Sequence, residues 1–287
     1  YKVSVPPYLF DETFVNVGTM KNTGIEIDVN FKAVNTKDFS YDLNFVGTTM
    51  KNKFVDFSNS KYIGQDYYDT AGTEDPYPFY NLQRIQKGES LGNFYMWRYA
   101  GHSADGEWLV YDKDGDIIRA SQASDADRQV VGNGMPKFTM SSSHNFRYKN
   151  FDLSLFFRGA FGYDIFNIHD FYYGTRNFTG NRLDKAYGKN FVVSGSANPV
   201  VCDYFLEKGD YLKLDMMTLG YTLNLKDCPY LDRVRVYGTM KNIFTITKFS
   251  GVDPSSYQVN GLTPVAQGSR TYFPTTRQFI VGWQIDF

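Results

Sequence analysis

Residues 25–33 read Ile25-Glu26-Ile27-Asp28-Val29-Asn30-Phe31-Lys32-Ala33 and alternate apolar with polar side chains at every position. Because successive side chains of a β-strand point to opposite faces, this pattern predicts a strand with one apolar face and one charged, hydrated face. After a short polar turn at 35–38, residues 39–45 alternate in the same way. The two segments are therefore predicted to form an antiparallel hairpin.

Five further segments show the same period-two alternation, at 135–148, 151–161, 211–225, 233–244 and 279–287. Most are longer than the roughly five or six residues of a soluble strand. The apolar face of 135–148 is interrupted by Ser142 and His144. In 211–225 the alternation slips by one position near Met216 and Met217, which predicts a β-bulge. The sequence thus predicts seven strands.

The connections between these strands alternate in length. They are short at 35–38, 149–150 and 226–231, and long at 53–134, 168–209 and 247–275. Transmembrane barrels that run up and down have tight periplasmic turns at one end and long extracellular loops at the other. The long connections are therefore expected outside the cell, and within the first of them a hairpin is predicted that turns at 112–116.

The composition favours strands and excludes several functional classes. Aromatic residues make up 18% of the chain, and 30 Lys and Arg nearly balance 31 Asp and Glu, so no basic footprint for nucleic acid is present. No apolar run reaches the roughly 18 residues of a membrane-spanning helix, whereas barrel strands place only alternate residues in lipid. The two Cys and three His residues lack zinc-ligand spacing, so no metal or other cofactor is expected.

A soluble β-sandwich would also alternate, and it is the competing interpretation. The strand lengths, the alternation of short and long connections and the aromatic residues near strand ends favour the membrane barrel. Bacterial barrels have even strand numbers, and an open sheet in lipid would leave unpaired backbone groups at its edges. The chain also begins at Tyr1 without Met. We therefore expect a fragment or cleavage product, with further strands supplied from elsewhere.

Several motifs resemble those of the SusC/RagA-like TonB-dependent transporters of Bacteroidetes outer membranes. In family order they are Asn16-Val17-Gly18-Thr19-Met20-Lys21-Asn22-Thr23-Gly24-Ile25-Glu26, Gly132-Asn133-Gly134-Met135-Pro136-Lys137-Phe138, Phe151-Asp152-Leu153-Ser154 with Gly159, Lys208-Gly209-Asp210-Tyr211-Leu212-Lys213-Leu214, Leu219-Gly220-Tyr221-Thr222-Leu223, Asn242-Ile243-Phe244-Thr245-Ile246-Thr247, Gly251-Val252-Asp253-Pro254 and the terminal Phe287.

This resemblance implies that residues 1–287 are the C-terminal part of an all-β, antiparallel transmembrane barrel of about 22 strands with long extracellular loops. It also implies import of oligosaccharides, or of peptides as in the RagA branch, together with a SusD-like surface lipoprotein. TonB would act through an N-terminal plug and TonB-contacting box that this sequence lacks. A soluble β-rich glycan-binding or hydrolase domain is the alternative from a different class.

Candidate substrate-binding residues lie in the second long connection: Asp170, Tyr172, Tyr173, Arg176 and Asn177. Flat aromatic faces beside amides and charges suit sugar rings or peptide groups, although loop aromatics as often serve local packing. No nucleophile, base and orienting group can be assembled from the scattered histidines, so no catalytic residue is assigned and an enzyme is not expected.

Two further features of the sequence are candidate sites. Asp112, Asp114 and Asp116 begin with calcium-like spacing, but Ile117 stands where an EF-hand needs Gly, so a plain hairpin turn is favoured. The last strand ends in an aromatic ladder that includes Trp283, Ile285 and Phe287. We interpret these three residues as a barrel-assembly signal.

Overall fold

The computed structural model describes residues 2–4, 12–14, 18–57, 66–73, 76–77, 80–188, 197–225, 228, 230–256 and 274–287. Strands account for nearly all of its regular structure. In chain order they are β1 Lys2–Ser4, β2 Glu12–Phe14, β3 Thr19–Asn35, β4 Phe39–Asp56, β5 Tyr67–Gly72, β6 Asn81–Gln86, β7 Asn93–Met96, β8 Arg98–His102, β9 Trp108–Tyr111, β10 Ile117–Arg119, β11 Gln129–Asn133, β12 Phe138–Tyr148, β13 Phe151–Phe161, β14 Asp164–Phe166, β15 Leu206–Lys208, β16 Tyr211–Asn224, β17 Arg233–Thr247 and β18 Gln278–Asp286. One short helix, α1, spans Ile168–Tyr173, and 3-10 turns occur at Ala120–Gln122, Asp125–Asp127, Asp184–Tyr187, Asp203–Phe205 and Pro254–Ser256.

The main body is a seven-stranded antiparallel sheet with the order β18-β17-β16-β13-β12-β4-β3. These are the seven strands predicted from the alternation, each paired with its predecessor among the seven. The short connections lie at one end of the sheet and the long ones at the other. The predicted bounds of β3 and β4 were too short, since these strands have 17 and 18 residues and extend beyond the rest of the sheet.

Hydrogen-bonded register gives the sheet one apolar and one polar face. One row crosses all seven strands in the order Phe31, Leu43, His144, Leu155, Met217, Met240 and Phe279. The adjacent row on the opposite face is Lys32, Asp42, Asn145, Ser154, Thr218, Thr239 and Ile280. We call these two surfaces the apolar face and the polar face.

The apolar face is extensively exposed. Ile25 is 67% exposed, Val281 76% and Trp283 71%, and these side chains lie at opposite edges of the sheet. A contiguous apolar surface that spans seven strands far exceeds the few hundred Å² that a soluble monomer normally exposes. Such a face requires an apolar surrounding.

Ser142 and His144, the two polar residues that interrupt the apolar face, have hydrogen-bonding partners on that face. The Tyr41 hydroxyl lies 2.8 Å from Nδ1 of His144, and Ser142 Oγ lies 3.2 Å from Nε2 of the same ring. Tyr41 also stacks on Phe146 at 4.5 Å between ring centroids. Because unpaired polar groups are costly in hydrocarbon, this chain of contacts explains how Ser142 and His144 are tolerated on that face.

A β-bulge interrupts the middle of β16, as the slipped alternation predicted. The ladders to β13 and β17 both skip Asp215, one residue before the predicted position. The Asp215 carboxylate pairs with Nε of Arg158 at 2.7 Å. The extra residue shifts the parity of Leu212 and Leu214 relative to Leu219 and Leu223.

The described parts of the long connections form a second body at one end of the sheet, which we call the outer domain. It contains a four-stranded sheet, β11-β7-β6-β5, a three-stranded sheet, β10-β9-β8, the pair β14-β15, and α1. Its core is largely aromatic and nearly inaccessible, with Leu82, Phe94, Met96, Val110, Ile165, Phe166, Phe171, Tyr172 and Phe205 all 0% exposed.

The predicted hairpin of the first long connection is confirmed as β9 and β10. The Asp112 carboxylate accepts the backbone N–H groups of Asp114 and Asp116, each at 2.9 Å. Gly115 in the same turn has a φ of 91°, which glycine adopts without strain. Asp112 therefore holds the turn of the predicted hairpin.

Candidate functional site

The polar face of the sheet carries a network of amide, hydroxyl and charged side chains. The Asn44 amide donates to Asp28 at 3.1 Å and to Asn30 at 2.8 Å, so β3 and β4 are joined across this face. The Arg235 guanidinium binds both carboxylate oxygens of Asp152, at 2.9 and 2.5 Å, and thereby spans β16. This surface therefore presents many hydrogen-bonding groups.

The predicted substrate-binding residues Asp170 and Tyr172 lie inside the outer domain. Tyr172 is 0% exposed and stacks on Tyr77 at 5.5 Å. Asp170 is 6% exposed, forms an ion pair with Lys185, and donates its backbone N–H to the Asn167 side chain at 3.0 Å as part of the cap of α1. Burial raises the pKa of the Asp170 carboxyl, and the contact with Lys185 opposes that shift. In this conformation both residues support the fold of the loop.

The other three predicted residues are more accessible. Arg176 is exposed, but it donates to the carbonyls of Ala186 and Gly188 at 2.9 and 3.1 Å. Asn177 hydrogen-bonds with Asn198. Tyr173 is half-buried against Phe178. Direct contact with substrate stays a prediction for all five residues.

One neighbouring cavity was not predicted. It has a volume of about 400 Å³ and is lined by Asn167, His169, Asp170, Leu183 and Lys185 together with residues 250–252. Asp170 and Lys185 bring opposite charges to its wall. The helix-capping pattern around Asn167 could have indicated that this segment is ordered, but the partner Lys185 lies in a separate turn and has no local signal.

A buried ion pair that joins the outer domain to the sheet was also missed. Lys213 of β16 is 1% exposed, and its Nζ lies 3.2 Å from Oδ2 of Asp253. Asp253 accepts further hydrogen bonds from Thr275 and Ser255. Both charged residues belong to the motifs quoted above, so the signal was present, but their pairing spans two separate segments.

The terminal strand lies at the edge of the seven-stranded sheet. Trp283 pairs with Val236 and Ile285 with Val234, while Phe287 is 87% exposed. Trp283 and Ile285 thus continue the apolar face to its edge. The role of Trp283, Ile285 and Phe287 as a barrel-assembly signal stays a prediction.

Membrane-crossing helices are not found in the described part of the chain. Likewise, no group of three or more His, Cys, Asp or Glu residues able to hold a metal ion occurs there.

Comparisons with known proteins agree with the architecture. The chain is 28% identical over 304 residues to the TonB-dependent receptor P3 of Formosa agariphila, covering 95% of this chain and 29% of the relative. It is 26% identical to the TonB-dependent receptor SusC of Bacteroides thetaiotaomicron, covering 95% and 27% respectively. The solved RagAB peptide transporter superposes with a TM-score of 0.75 at 23% identity, covering 100% of this chain and 32% of that one. No protein-family model matches the sequence.

The antiparallel sheet with opposed apolar and polar faces, together with its match to the RagAB structure, gives the chain the fold of part of a β-barrel. It spans about three tenths of the length of the relatives that it matches. Over nearly its whole length, the chain is similar to SusC and to the other TonB-dependent receptors named above.

Proposed function

We propose that this chain is the C-terminal part of an outer-membrane transporter that imports oligosaccharides by a TonB-dependent mechanism. The observation that carries the proposal is the seven-stranded sheet, which is apolar on one face and hydrogen-bonding on the other, beneath a folded outer domain. The apolar face would contact lipid and the polar face would line the passage. The likeness to receptors named as TonB-dependent supports the energy source.

In this arrangement the long connections face the outside of the cell. The outer domain would then meet a SusD-like surface lipoprotein, while TonB would act through the N-terminal part of the transporter. Support comes from the match to the RagAB peptide transporter. Co-purification of such a lipoprotein with the full-length transporter would test this partner, and its absence from gently solubilised membranes would contradict it.

A peptide substrate is the second candidate, because the RagAB structures that this chain resembles are described as a peptide transporter or importer. The polar face is compatible with either solute, since its amides, hydroxyls and charges can bind sugar hydroxyls or peptide groups. We favour oligosaccharides because loop aromatics of the kind found at Tyr173 suit the flat faces of sugar rings. A soluble glycan-binding or hydrolase domain is disfavoured by the breadth of the exposed apolar face.

The deciding experiment is uptake by cells that carry the full-length transporter and by a matched deletion strain. Fluorescent oligosaccharides and peptides of similar mass are offered with and without an uncoupler of the proton-motive force. We expect oligosaccharide uptake that needs both the transporter and the proton-motive force. Peptide uptake with the same dependence would favour the second candidate, and uptake of neither would reject import by this protein.

A further inference from the structure

A cluster of lysines lies at the outer end of the β3–β4 hairpin. Strand parity places Lys21, Lys51 and Lys53 on the same side as Ile25 and Ile27, so these charges stand directly above the apolar face. All three side chains are exposed. About 7 Å, two residues of strand, separate the row of Lys51 from the row of Ile25. In the membrane orientation proposed above, this position is the boundary between hydrocarbon and headgroups.

The register brings two of these charges face to face. Lys21 is the direct cross-strand partner of Lys53, and Lys51 pairs with the uncharged Thr23. Like charges directly opposite each other destabilise an antiparallel pair. Within the described residues none of the three lysines forms an ion pair, whereas the nearby Lys87 is paired with Asp56. An external anion bound beside these lysines would neutralise the cluster.

A cleft beside the hairpin provides room for such a group. It has a volume of about 760 Å³, and Lys51, Lys53 and Lys137 contribute its three positive charges. Glu89 is the acidic residue that lines it, so these side chains together carry a net charge of +2 (three lysines against one glutamate). Asn52, one of several polar residues in the wall, is fixed by hydrogen bonds from Ser90 and from the backbone of Leu91, at 2.9 and 2.6 Å. The wall is thus ordered while the lysines are free to bind.

We propose that Lys21, Lys51, Lys53 and the adjacent cleft bind the anionic, phosphorylated headgroup of a lipid in the surrounding leaflet. The inference rests on the proposed membrane orientation, because only there does the cluster meet headgroups. Phosphate and other anionic oxygens accept hydrogen bonds from lysine ammonium groups, and the acyl chains of the same lipid would cover the Ile25 side of the hairpin. A free phosphorylated solute would bind the lysine ammonium groups, but it has no acyl chains to cover the Ile25 side of the hairpin.

Native mass spectrometry of the full-length transporter in detergent tests this site. Phosphatidylglycerol is the anionic probe, phosphatidylcholine the zwitterionic lipid, and glycerol phosphate the headgroup without chains. Each lysine near an anionic lipid surface contributes about fivefold in affinity, so the triple variant Lys21→Gln, Lys51→Gln, Lys53→Gln should bind phosphatidylglycerol about 100-fold more weakly. The matched control replaces Lys37 and Lys149, at the turns on the opposite end of the sheet, and should retain binding.

A second variant distinguishes loss of lipid binding from loss of folding. Lys53→Glu should form a cross-strand ion pair with Lys21, preserve the heat-modifiable barrel and still lose phosphatidylglycerol. Any of three results would overturn the proposal. They are equal binding of phosphatidylglycerol by the wild type and the triple variant, an equal loss of that binding in the control variant, and binding of glycerol phosphate as tight as that of phosphatidylglycerol. Import is measured separately in cells. Loss of lipid binding with normal uptake supports the site, whereas absence of wild-type protein from the outer-membrane fraction would reject the proposed function itself.

Discussion

Replacing Asp253 by Asn should loosen the attachment of the outer domain to the sheet. The change keeps the shape of the side chain but removes the charge that lies 3.2 Å from the ammonium of Lys213. Lys213 would then be left, 1% exposed, with the Ser255 hydroxyl at 3.2 Å and the Asp215 carboxylate at 3.9 Å. Breaking a buried ion pair from one side costs about 3–5 kcal/mol. Because Asp215 remains as a distant partner, we expect a cost of about 3 kcal/mol, at the lower end of that range.

Replacement of the other partner, Lys213→Met, should destabilise the folded protein less than Asp253→Asn does. Asp253 would keep the hydroxyl of Thr275 at 2.6 Å and the backbone N–H and hydroxyl of Ser255 at 2.8 and 2.7 Å. With these donors still in place, the expected loss is about 1–2 kcal/mol. The double variant should resemble Lys213→Met, since no unpaired buried cation remains.

The assay is hydrogen exchange in the full-length protein, read at the amide of Ser255, which donates to Asp253. A cost of about 3 kcal/mol corresponds to roughly 150-fold faster exchange through local opening. Additive effects in the double variant, or faster exchange in Lys213→Met than in Asp253→Asn, would refute the reasoning.

The stabilisation that the Lys213–Asp253 ion pair provides depends on pH with a definite sign. Burial raises the pKa of Asp253, but hydrogen bonds from Thr275 and Ser255 and the charge of Lys213 outweigh it and lower the pKa. The stabilisation is therefore present above the ordinary aspartate pKa of about 3.9 and is lost as the pH falls through the lowered value of the folded state. Ser255 exchange in excess of the intrinsic pH effect should accelerate only in that acidic range, and acceleration between pH 5 and 8 would contradict this assignment.

Three further predictions concern the barrel wall. Leu153→Arg, on the apolar face, should reduce assembled barrel in outer-membrane fractions more than Ser154→Arg on the polar face. An Arg that faces lipid costs about 2–4 kcal/mol at the bilayer midplane and less toward the interface, and Leu153 is the third residue of β13. Equal yields would reject the assignment of the faces. Cys202 and Cys228 are separated along the chain by β16 and should remain unbonded, because disulfides need Cα atoms within about 7 Å, and a reduction-dependent mobility shift abolished by Cys228→Ser would overturn the topology. Deletion of Phe287 from the full-length protein should lower the amount of surface-exposed, heat-modifiable barrel more than deletion of one loop residue does, and equal amounts would show that it is no assembly signal.

Sequence alternation predicted the membrane sheet well because each strand is constrained by two different surroundings. Side chains that face lipid are apolar and those that face water are polar, so the alternation persists through β13 and β17 whatever residues lie on the adjacent strands. The prediction from alternation fails where the two faces of a strand no longer have different surroundings. The outer parts of β3 and β4 carry Asn22, Asn52 and other polar residues on both sides, and their extension was therefore missed.

The outer domain was less predictable, for a physical reason. Its strands are short and pair with distant segments, as β11 does with β7, so little of their stability is encoded locally. The burial of Tyr172 depends on contacts with Tyr77, which lies in another long connection. A tyrosine in a polar loop has the same local sequence signal whether it faces solvent or fills a core.

The register of β4 against β12 has a consequence for how such transporters diversify. Thr49 and Phe138 are direct neighbours, although the whole first part of the outer domain lies between them in the chain. The wall therefore holds both stems of this insertion at a fixed spacing, whatever the insertion contains. Loop-closure entropy rises only logarithmically with length, by about 0.6 kcal/mol for each doubling. The surface-facing domain can consequently be lengthened or exchanged with little penalty to the barrel, which lets one membrane scaffold carry many different exteriors.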